Sequence, residues 1–318
     1  MKPFSRLFVF LIGAILVAGC SPTGSPSTSS ELKGTIVISG ADALYPIMNL
    51  WAHIYQKAYP EVMFDISAGG AGKGMTDALT GAVDIGMVSR EITEDEEIKG
   101  AYPVAVVKDA VFPVVNADNP VITEIMAKGI SKDVFIKIFI TKEVKTWGEV
   151  IGKPAINDEI HVYTRSDACG AAQMWTAFLS YKQEDIQGIG VKGDPSVLQT
   201  LINDPLGIGY NNLGYAFDLS SGKTAEGILP VPIDLNANGV ADTEEVIDSL
   251  AKAGEMISLG KYPSPPARLD YLVTKGKPAS LVANFIKWIL TEGQQYVGEA
   301  GYVKLTDGQI QVSLDKLK

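Results

Sequence analysis

Three segments of this chain share one pattern, in which a strand-like run ends in a turn of small residues that opens a helix. The turns are "SGADALYP" at 39–46, "SAGGAGKG" at 67–74 and "RSDACGAA" at 165–172. Small residues let backbone N–H groups approach a ligand, and a helix N-terminus presents unpaired donors with a partial positive charge. Strand, turn and helix alternate along most of the chain, which predicts an α/β fold with mainly parallel sheets. Three converging helix ends would hold an oxyanion; the alternative is that the glycines only shape the turns.

The turn at 67–74 does not have the spacing of a nucleotide-binding loop. A Walker loop requires glycine, four residues, and then Gly-Lys-Ser/Thr, but Ser67 stands five residues before Gly72, and Lys73 is followed by Gly74. The dinucleotide fingerprint also fails, because Met75 stands where its last glycine belongs. The spacing therefore supports neither kind of nucleotide site.

The N-terminal segment has the pattern of a lipoprotein signal peptide. Two basic residues precede the apolar stretch 7–17, which is too short to span a bilayer, and "VAGC" ends at Cys20. We predict that residues 1–19 are removed and that the thiol and new amine of Cys20 are acylated, unless Cys20 merely lies near an ordinary signal peptide. Residues 20–33 are rich in Ser, Thr, Pro and Gly and predict a flexible tether. The body would then stand on the extracytoplasmic side of a membrane.

Size and charge narrow the classes of protein further. A chain of 318 residues is at the length where single hydrophobic cores stop growing, which favours two lobes. A formal charge of −10 argues against a nucleic-acid partner but not against a small anion, since local amides and one arginine can outweigh a distant acidic surface. Cys169 is the only other cysteine, so once Cys20 is acylated the body depends on core packing rather than an intrachain disulfide.

An ordered set of segments resembles the phosphate-binding lipoproteins of the Pst ABC importer. These segments are "SGADALYPIMNLWA", "SAGGAGKGM", "VDIGMVSREIT", "FPVVNADNPV", "VFIKIFITKEVKTWGEV", "TRSDACGAA" and "GIGYNNLGYA", from about residue 34 to the end. The resemblance implies a two-lobed periplasmic-binding-protein (type II) fold that closes on phosphate, a monomer, and an importer permease as partner. We expect lobe 1 to hold 34–113 and 226–318, and lobe 2 to hold 114–225.

The resemblance also implies which residues surround the anion. The candidates are Ala43, Leu44, Tyr45, Gly70, Ala71, Gly72, Lys73, Ser89, Arg90, Arg165, Cys169, Gly170 and Ala171. Arg165 and Gly170 match the family, whereas alanines and a thiol replace several of its hydroxyls. Each lost donor weakens a charge-assisted hydrogen bond of about 1.5 to 3 kcal/mol unless an amide or water substitutes. Asp42 or Asp167 would accept a proton of the ligand, because Arg90 stands where some family members carry an aspartate.

Three hypotheses about function remain open at this point. The first is a lipid-anchored solute-binding protein for phosphate or a similar oxyanion such as sulfate, molybdate or tungstate. The second is an anchored sensory or scaffold protein that keeps the fold without a transported anion, which the lost hydroxyls motivate. The third, an enzyme such as a phosphatase, has little support because no group of nucleophile, base and metal ligands stands out.

Residues 234–245, "DLNANGVADTEE", match the pattern of an EF-hand calcium loop. The candidate ligands are Asp234, Asn236, Asn238, the main-chain carbonyl of Val240, Asp242 and Glu245, with Gly239 at the sharp turn. "LPVPI" before the loop indicates extended chain rather than a helix, so we expect an isolated structural Ca²⁺ loop. The alternative is a solvated turn of Asn, Gly and Asp.

Overall fold

The computed structural model describes residues 32–318, which form one compact unit. The predicted signal peptide, Cys20 and most of the predicted tether lie outside these described residues. The strands are β1 Gly34–Gly40, β2 Val62–Ala68, β3 Ile85–Val88, β4 Ala101–Asn116, β5 Ile130–Ser131, β6 His161–Arg165, β7 Ile189–Val191, β8 Gly207–Asn212, β9 Ile228–Pro230, β10 Ile233–Asp234 and β11 Ala267–Lys275.

Helices follow most of the strands, as the alternating pattern predicts. They are α1 Tyr45–Ala58, α2 Ala71–Thr80, α3 Glu94–Ile98, α4 Ile122–Lys128, α5 Lys132–Phe139, α6 Trp147–Ile151, α7 Gly170–Leu179, α8 Asp194–Ile202, α9 Leu213–Ala216, α10 Leu250–Ser258, α11 Ser280–Leu290 and α12 Asp307–Leu317. Short 3₁₀ turns occur at Asp42–Leu44, Gln183–Asp185 and Glu292–Tyr296. Within residues 32–318 we find no helix with the length and apolar character needed to cross a bilayer.

The strands form a continuous sheet in the order β2-β1-β3-β11-β4-β8-β6-β7, with β9 also paired to β4. The outer pairs β1/β2, β1/β3, β6/β8 and β6/β7 are parallel, which confirms the predicted α/β class. The central strands β4 and β11 run antiparallel to each other and to their other neighbours. Parallel strands require crossover connections, and the helices supply them.

Two hydrophobic cores lie along this sheet. The first core contains Trp51 of α1 and Phe285 of α11, and the second contains Trp147 of α6 and Trp175 of α7. Strand β4 contributes to both, because its residues up to 107 belong to the first core and those from 110 onward to the second. Strand β11 crosses in the same way between residues 267 and 272. The two crossing strands are therefore the covalent links between the cores.

The second lobe boundary, predicted near residue 226, differs from the boundary between the two cores. Residues 228–267 were expected in lobe 1, but Ile228, Ile247, Met256 and Tyr262 pack in the second core. Strand β9 pairs with the second half of β4, and the Tyr262 hydroxyl donates to the Val111 carbonyl at 2.7 Å. The chain thus returns to the first core along β11, not near residue 226. This return depends on long-range strand pairing, for which local sequence carries no signal.

Candidate functional site

Turns from both cores meet at one place beside the crossing strands. The Gly72 N–H, in the first turn of α2, donates to the Ala168 carbonyl of the loop after β6 at 3.0 Å. A Cβ atom on Gly170 would lie 2.1 Å from the Ser89 carbonyl oxygen, so only glycine allows this approach of the two backbones. The Gly69 and Gly70 N–H groups donate to the Gly40 carbonyl at 2.9 and 3.0 Å, so the structure brings together all three small-residue turns that the sequence singled out.

Arg165 lies at the centre of this meeting point, at the end of β6, with its side chain 1% exposed. Its Nη2 atom is 2.6 Å from Asp167 Oδ2 and 3.1 Å from Asp42 Oδ2, and its Nε donates to Asp167 Oδ1 at 2.8 Å. Its Nη1 lies 3.0 Å from Asp194 Oδ1, although neither atom has the alignment of a hydrogen bond. One buried guanidinium is thus surrounded by three carboxylates.

The carboxylates respond differently to burial beside this cation. Burial raises the pKa of Asp194, and the opposing charge of Arg165 does not cancel that effect. Burial also opposes ionisation of Asp167, but the hydrogen bonds from Arg165 outweigh it and lower the Asp167 pKa. Asp167 is therefore the firmly ionised partner of Arg165, whereas Asp194 resists ionisation.

Asp194 belongs to a fourth turn that the sequence analysis missed. It begins α8 after Gly193, with Pro195 in the first turn of the helix. Its Oδ2 accepts a hydrogen bond from the Asn212 side chain at 2.8 Å, at the end of β8. The segment "VKGDPS" has the same order of strand, glycine and helix start as the other three turns, and this signal would have revealed it.

A buried polar network continues from Asp194 to the crossing strands. Asn212 accepts a short hydrogen bond from Arg268 on β11, and Arg268 lies 2.8 Å from Asp109 of β4 and 3.2 Å from Asp270. The side chains of this ion-pair cluster are fully buried. Desolvation raises the pKa of Asp109 to about 6 and that of Asp270 to about 8 against the attraction of Arg268. The site and the links between the cores are therefore joined by hydrogen bonds.

The other predicted cations pair with carboxylates outside this cluster. Arg90 makes a bidentate ion pair with Glu96 of α3, with nitrogen to oxygen distances of 2.8 and 2.6 Å. The Lys73 ammonium pairs with Asp77 one helical turn further along α2. Lys73 belongs to the turn 67–74, but within residues 32–318 Arg165 is the one of these three cations that pairs with acidic groups of two converging turns.

The remaining predicted residues provide backbone and packing near the site. Ala43 and Leu44 are buried in the turn before α1, and the Ala43 carbonyl accepts from the Tyr302 hydroxyl at 2.5 Å. Ala71 is buried in the first core. The others are Tyr45, which begins α1, Gly70, which precedes α2 with φ of 87°, and Ala171, which is buried in α7.

Cys169 caps α7 from the position where the resemblance implied a hydroxyl. Its Sγ atom accepts from the Ala172 N–H at 3.4 Å. Burial raises the pKa of this thiol to about 12, so it stays protonated and is a poor nucleophile. Cys169 therefore has a structural place at the helix end.

A cavity of about 770 Å³ opens beside Arg165, and its lining residues all lie between Arg165 and Ile186. They include Asp167, Gln173 and Lys182, and none comes from the first core. The cavity is therefore on the second-core side of the loop after β6, and it is not a space enclosed by the two cores.

The EF-hand-like loop folds on itself. Asp234 and Glu245 are buried, and Glu245 accepts from the Leu235 N–H at 2.7 Å and the Asp242 N–H at 3.0 Å. The side-chain amides of Asn236 and Asn238 donate to Asp242 Oδ2 at 2.9 and 3.3 Å. Among residues 32–318, no group of three or more His, Cys, Asp or Glu side chains is placed to hold a metal ion. A Ca²⁺ ion would need both asparagine amides turned, so that their carbonyl oxygens face inward.

Comparison with known proteins agrees with this architecture. A family model described as a PBP superfamily domain matches residues 25–292. A protein of Bacillus subtilis strain 168 named phosphate-binding protein PstS is 27% identical over 322 residues, covering 98% of this chain and 97% of that protein. A Methanocaldococcus jannaschii protein of the same name is 26% identical over 366 residues, covering 96% of this chain and 92% of that protein.

Solved structures share the fold at low sequence identity. A Clostridium perfringens structure, described as a candidate phosphate ABC transporter substrate-binding protein with bound phosphate, has a TM-score of 0.71 at 21% identity and covers 86% of this chain and 100% of its own. A Vibrio cholerae ABC-type phosphate transport receptor has a TM-score of 0.61 at 18% identity, covering 85% of this chain and 100% of its own. The named relatives are binding and transport proteins, not enzymes. The resemblance seen in the sequence is thereby confirmed, and the chain belongs to the PBP superfamily, with relatives among the phosphate-binding proteins named PstS.

Proposed function

We propose that this chain is the extracytoplasmic solute-binding component of an ABC importer, and that its solute is phosphate or another tetrahedral oxyanion. The observation that carries the proposal is the buried Arg165 at the meeting point of helix starts from both cores. A guanidinium offers bidentate hydrogen bonds to an oxyanion, and helix N-termini add N–H donors and a favourable dipole. Closure of the two cores around the ligand would create the form that docks on a permease.

The relatives support phosphate as the first solute to test. Two of them, which match nearly the whole chain, carry the name phosphate-binding protein PstS. The retained Arg165 and Gly170 supply a cation and a close-packed helix start, and Ser89 adds a hydroxyl beside Gly170. Alanine at 71 and 171 and the thiol of Cys169 leave fewer donors, so sulfate, molybdate and tungstate belong in the same test.

A calorimetric titration of the purified chain with these four anions tests the proposal. Phosphate binding that Arg165→Ala abolishes is the expected result, because the mutation removes the cation at the centre of the site. Lys182→Ala is the matched control, since this exposed cation lines the neighbouring cavity and should leave binding unchanged. Micromolar binding of another anion without heat from phosphate would overturn the phosphate assignment.

A second candidate function is an anchored sensory or scaffold protein that does not transport an anion. The three carboxylates around Arg165 favour it, because they already satisfy much of the charge that an oxyanion would meet. Absence of binding for all four anions, or equal affinity in wild type and Arg165→Ala, would favour this second candidate over the first.

The lipid anchor belongs to the same proposal. The apolar stretch 7–17 and the "VAGC" segment motivate cleavage before Cys20, and the tether would let the body reach a permease. Cys20→Ser should abolish acylation and shift the protein out of the lipid-anchored fraction, and mass spectrometry of the native chain should find acyl chains at Cys20. A native chain that lacks them would refute the anchor.

We further propose that the loop 234–245 binds a structural Ca²⁺. Its support is the fit of Asp234, Asn236, Asn238, Asp242 and Glu245 to the EF-hand spacing, with the Val240 carbonyl at the seventh position. All of these residues lie in one loop whose turn at Gly239 has φ of 77°. An ion there would brace the loop against the second core, since Asp234 ends β10.

A further inference from the structure

Asp42 approaches Arg165 from the opposite core. It lies before α1, in the turn that packs in the first core, whereas Arg165 ends β6 in the second core. Their atoms Oδ2 and Nη2 are 3.1 Å apart, with the Asp42 side chain 11% exposed. This ion pair therefore spans the two cores and is shielded from solvent.

The three carboxylates at Arg165 are held in different ways. Asp167 also accepts from the Gly193 N–H at 3.3 Å, and Asp194 accepts from the Asn212 side chain at 2.8 Å. Within residues 32–318, the Asp42 carboxylate accepts a hydrogen bond from Arg165 alone. Asp42 is thus the carboxylate whose position depends on the arginine and on the contact between the cores.

Charge explains why this pair matters for a ligand. One guanidinium already faces three acidic side chains, of which Asp167 is firmly ionised, so an oxyanion that reached Arg165 would add further negative charge at short range. Asp167 and Asp194 keep other partners and stay near the arginine. The group that gives way is Asp42, which loses its partner and must return to water to avoid the cost of an unpaired buried charge.

We propose that Asp42 is an internal ligand that sets the anion affinity of this site: its carboxylate holds Arg165 across the two cores, and an oxyanion binds only by displacing it. The inference on affinity rests on the proposed function, whereas the contact between the cores does not. If the site binds an anion only after Asp42 has left, the apparent affinity equals the intrinsic affinity multiplied by the fraction of molecules in which Asp42 has left.

Amide hydrogen exchange on the ligand-free, full-length chain in detergent tests the contact directly. The Gly72 N–H donates to the Ala168 carbonyl across the cores, so its exchange rate reports separation of the cores. Loss of the charge-assisted bond in Asp42→Asn should speed exchange at Gly72 by about 10- to 100-fold. Asp194→Asn is the matched control, because it removes an acidic group from the same guanidinium but from within the second core, where Asn212 holds it, and it should leave Gly72 protected.

Exchange inside the cores separates this role from a merely structural one. Protection in β1 and β8 should be unchanged in Asp42→Asn, since both strands lie inside single cores. Unchanged exchange at Gly72, or equal acceleration in Asp194→Asn, would overturn the proposal. If Asp42→Asn loses protection throughout the chain, Asp42→Ser, with a small uncharged side chain, is judged by the same amides.

Titration with inorganic phosphate tests the effect on affinity. Asp42→Asn should bind phosphate about tenfold or more tightly than the wild type, because the internal competitor is removed. Equal or weaker binding in Asp42→Asn would refute this role. If neither protein takes up phosphate, the proposed function fails for that anion, while the exchange experiment still decides whether Asp42 holds the cores together.

Discussion

Replacement of Gly170 by alanine tests whether ligand binding requires close contact between the two cores. A Cβ atom at this position would lie 2.1 Å from the Ser89 carbonyl oxygen and 2.3 Å from the Ser89 hydroxyl oxygen. Non-bonded heavy atoms pack best at about 3.5 to 4.0 Å, so the two backbones must move apart by roughly 1 Å or more. Ser89 belongs to the first core side and Gly170 to the second, so the clash opposes closure and leaves the packing within each core intact.

The magnitude follows from what overpacking usually costs. Forcing a methyl group into a filled contact destabilises it by about 1 to 3 kcal/mol. If that free energy is lost from the closed form, phosphate affinity should fall by about 5-fold to 150-fold. The melting temperature should change little, because the variant can relax by opening. Calorimetric titration and thermal unfolding of the same samples measure the two quantities.

Two further glycines provide matched controls for this experiment. A Cβ on Gly74 would lie 2.4 Å from the Met87 carbonyl oxygen and 2.8 Å from the Gly40 Cα, all within the first core. Gly74→Ala should therefore lower the melting temperature. Gly308→Ala meets nothing within 4 Å and should change neither quantity for the worse. Wild-type phosphate affinity in Gly170→Ala, with wild-type protection of the Gly72 amide, would refute the reasoning.

Three other predictions concern stability and the membrane. A chelator should lower the melting temperature of the wild type, because it removes up to about 2.7 kcal/mol of stabilisation at a calcium concentration 100 times the Kd. Glu245→Gln should abolish this response, whereas the neighbouring Glu244→Gln should keep it. A wild-type melting temperature that the chelator leaves unchanged would refute the calcium site. Burial raises the pKa of Asp270 to about 8 in the native chain, against about 3.9 in the unfolded chain. The native state therefore binds more protons at this group, so the free energy of unfolding falls as pH rises from about 4 to about 8. Asp270→Asn should therefore flatten the dependence of unfolding free energy on pH over this range in denaturant titrations, and an unchanged slope would contradict the raised pKa. Cys20→Ser should shift the chain out of the lipid-anchored membrane fraction in cell fractionation, whereas Cys169→Ser should not, because that buried thiol caps a helix.

Local sequence was sufficient for the parts of the site that depend on local chain geometry. The turns at 39–46, 67–74 and 165–172 were predicted as helix starts after strands, and the structure brings all three together. This is possible because parallel strands present their carboxyl ends at the same edge of a sheet, wherever the strands stand in the sequence. The α/β class followed from the alternation of strand, turn and helix along the chain.

The charge balance of the site could not be predicted in this way. Arg165 was a candidate from the resemblance, and Asp167 stands only two residues away, but the other two acidic partners come from positions 42 and 194, far from Arg165 in the chain. Arg90 was also an arginine among the candidates, yet in the folded chain it forms a bidentate ion pair with Glu96. Which cation meets which anion is decided by side-chain placement after folding.

The sequence by itself determined the repeated turns, the arginine at the end of β6, the EF-hand spacing and the lipoprotein-like N-terminal pattern, because each depends on residues close together in the chain. Only the tertiary structure decided where the chain crosses between the cores and how Arg268, Asp109 and Asp270 share one buried cluster on the crossing strands. It also decided that Asp42 reaches Arg165 from the opposite core. These contacts join segments distant in sequence, and burial sets both their geometry and their pKa values.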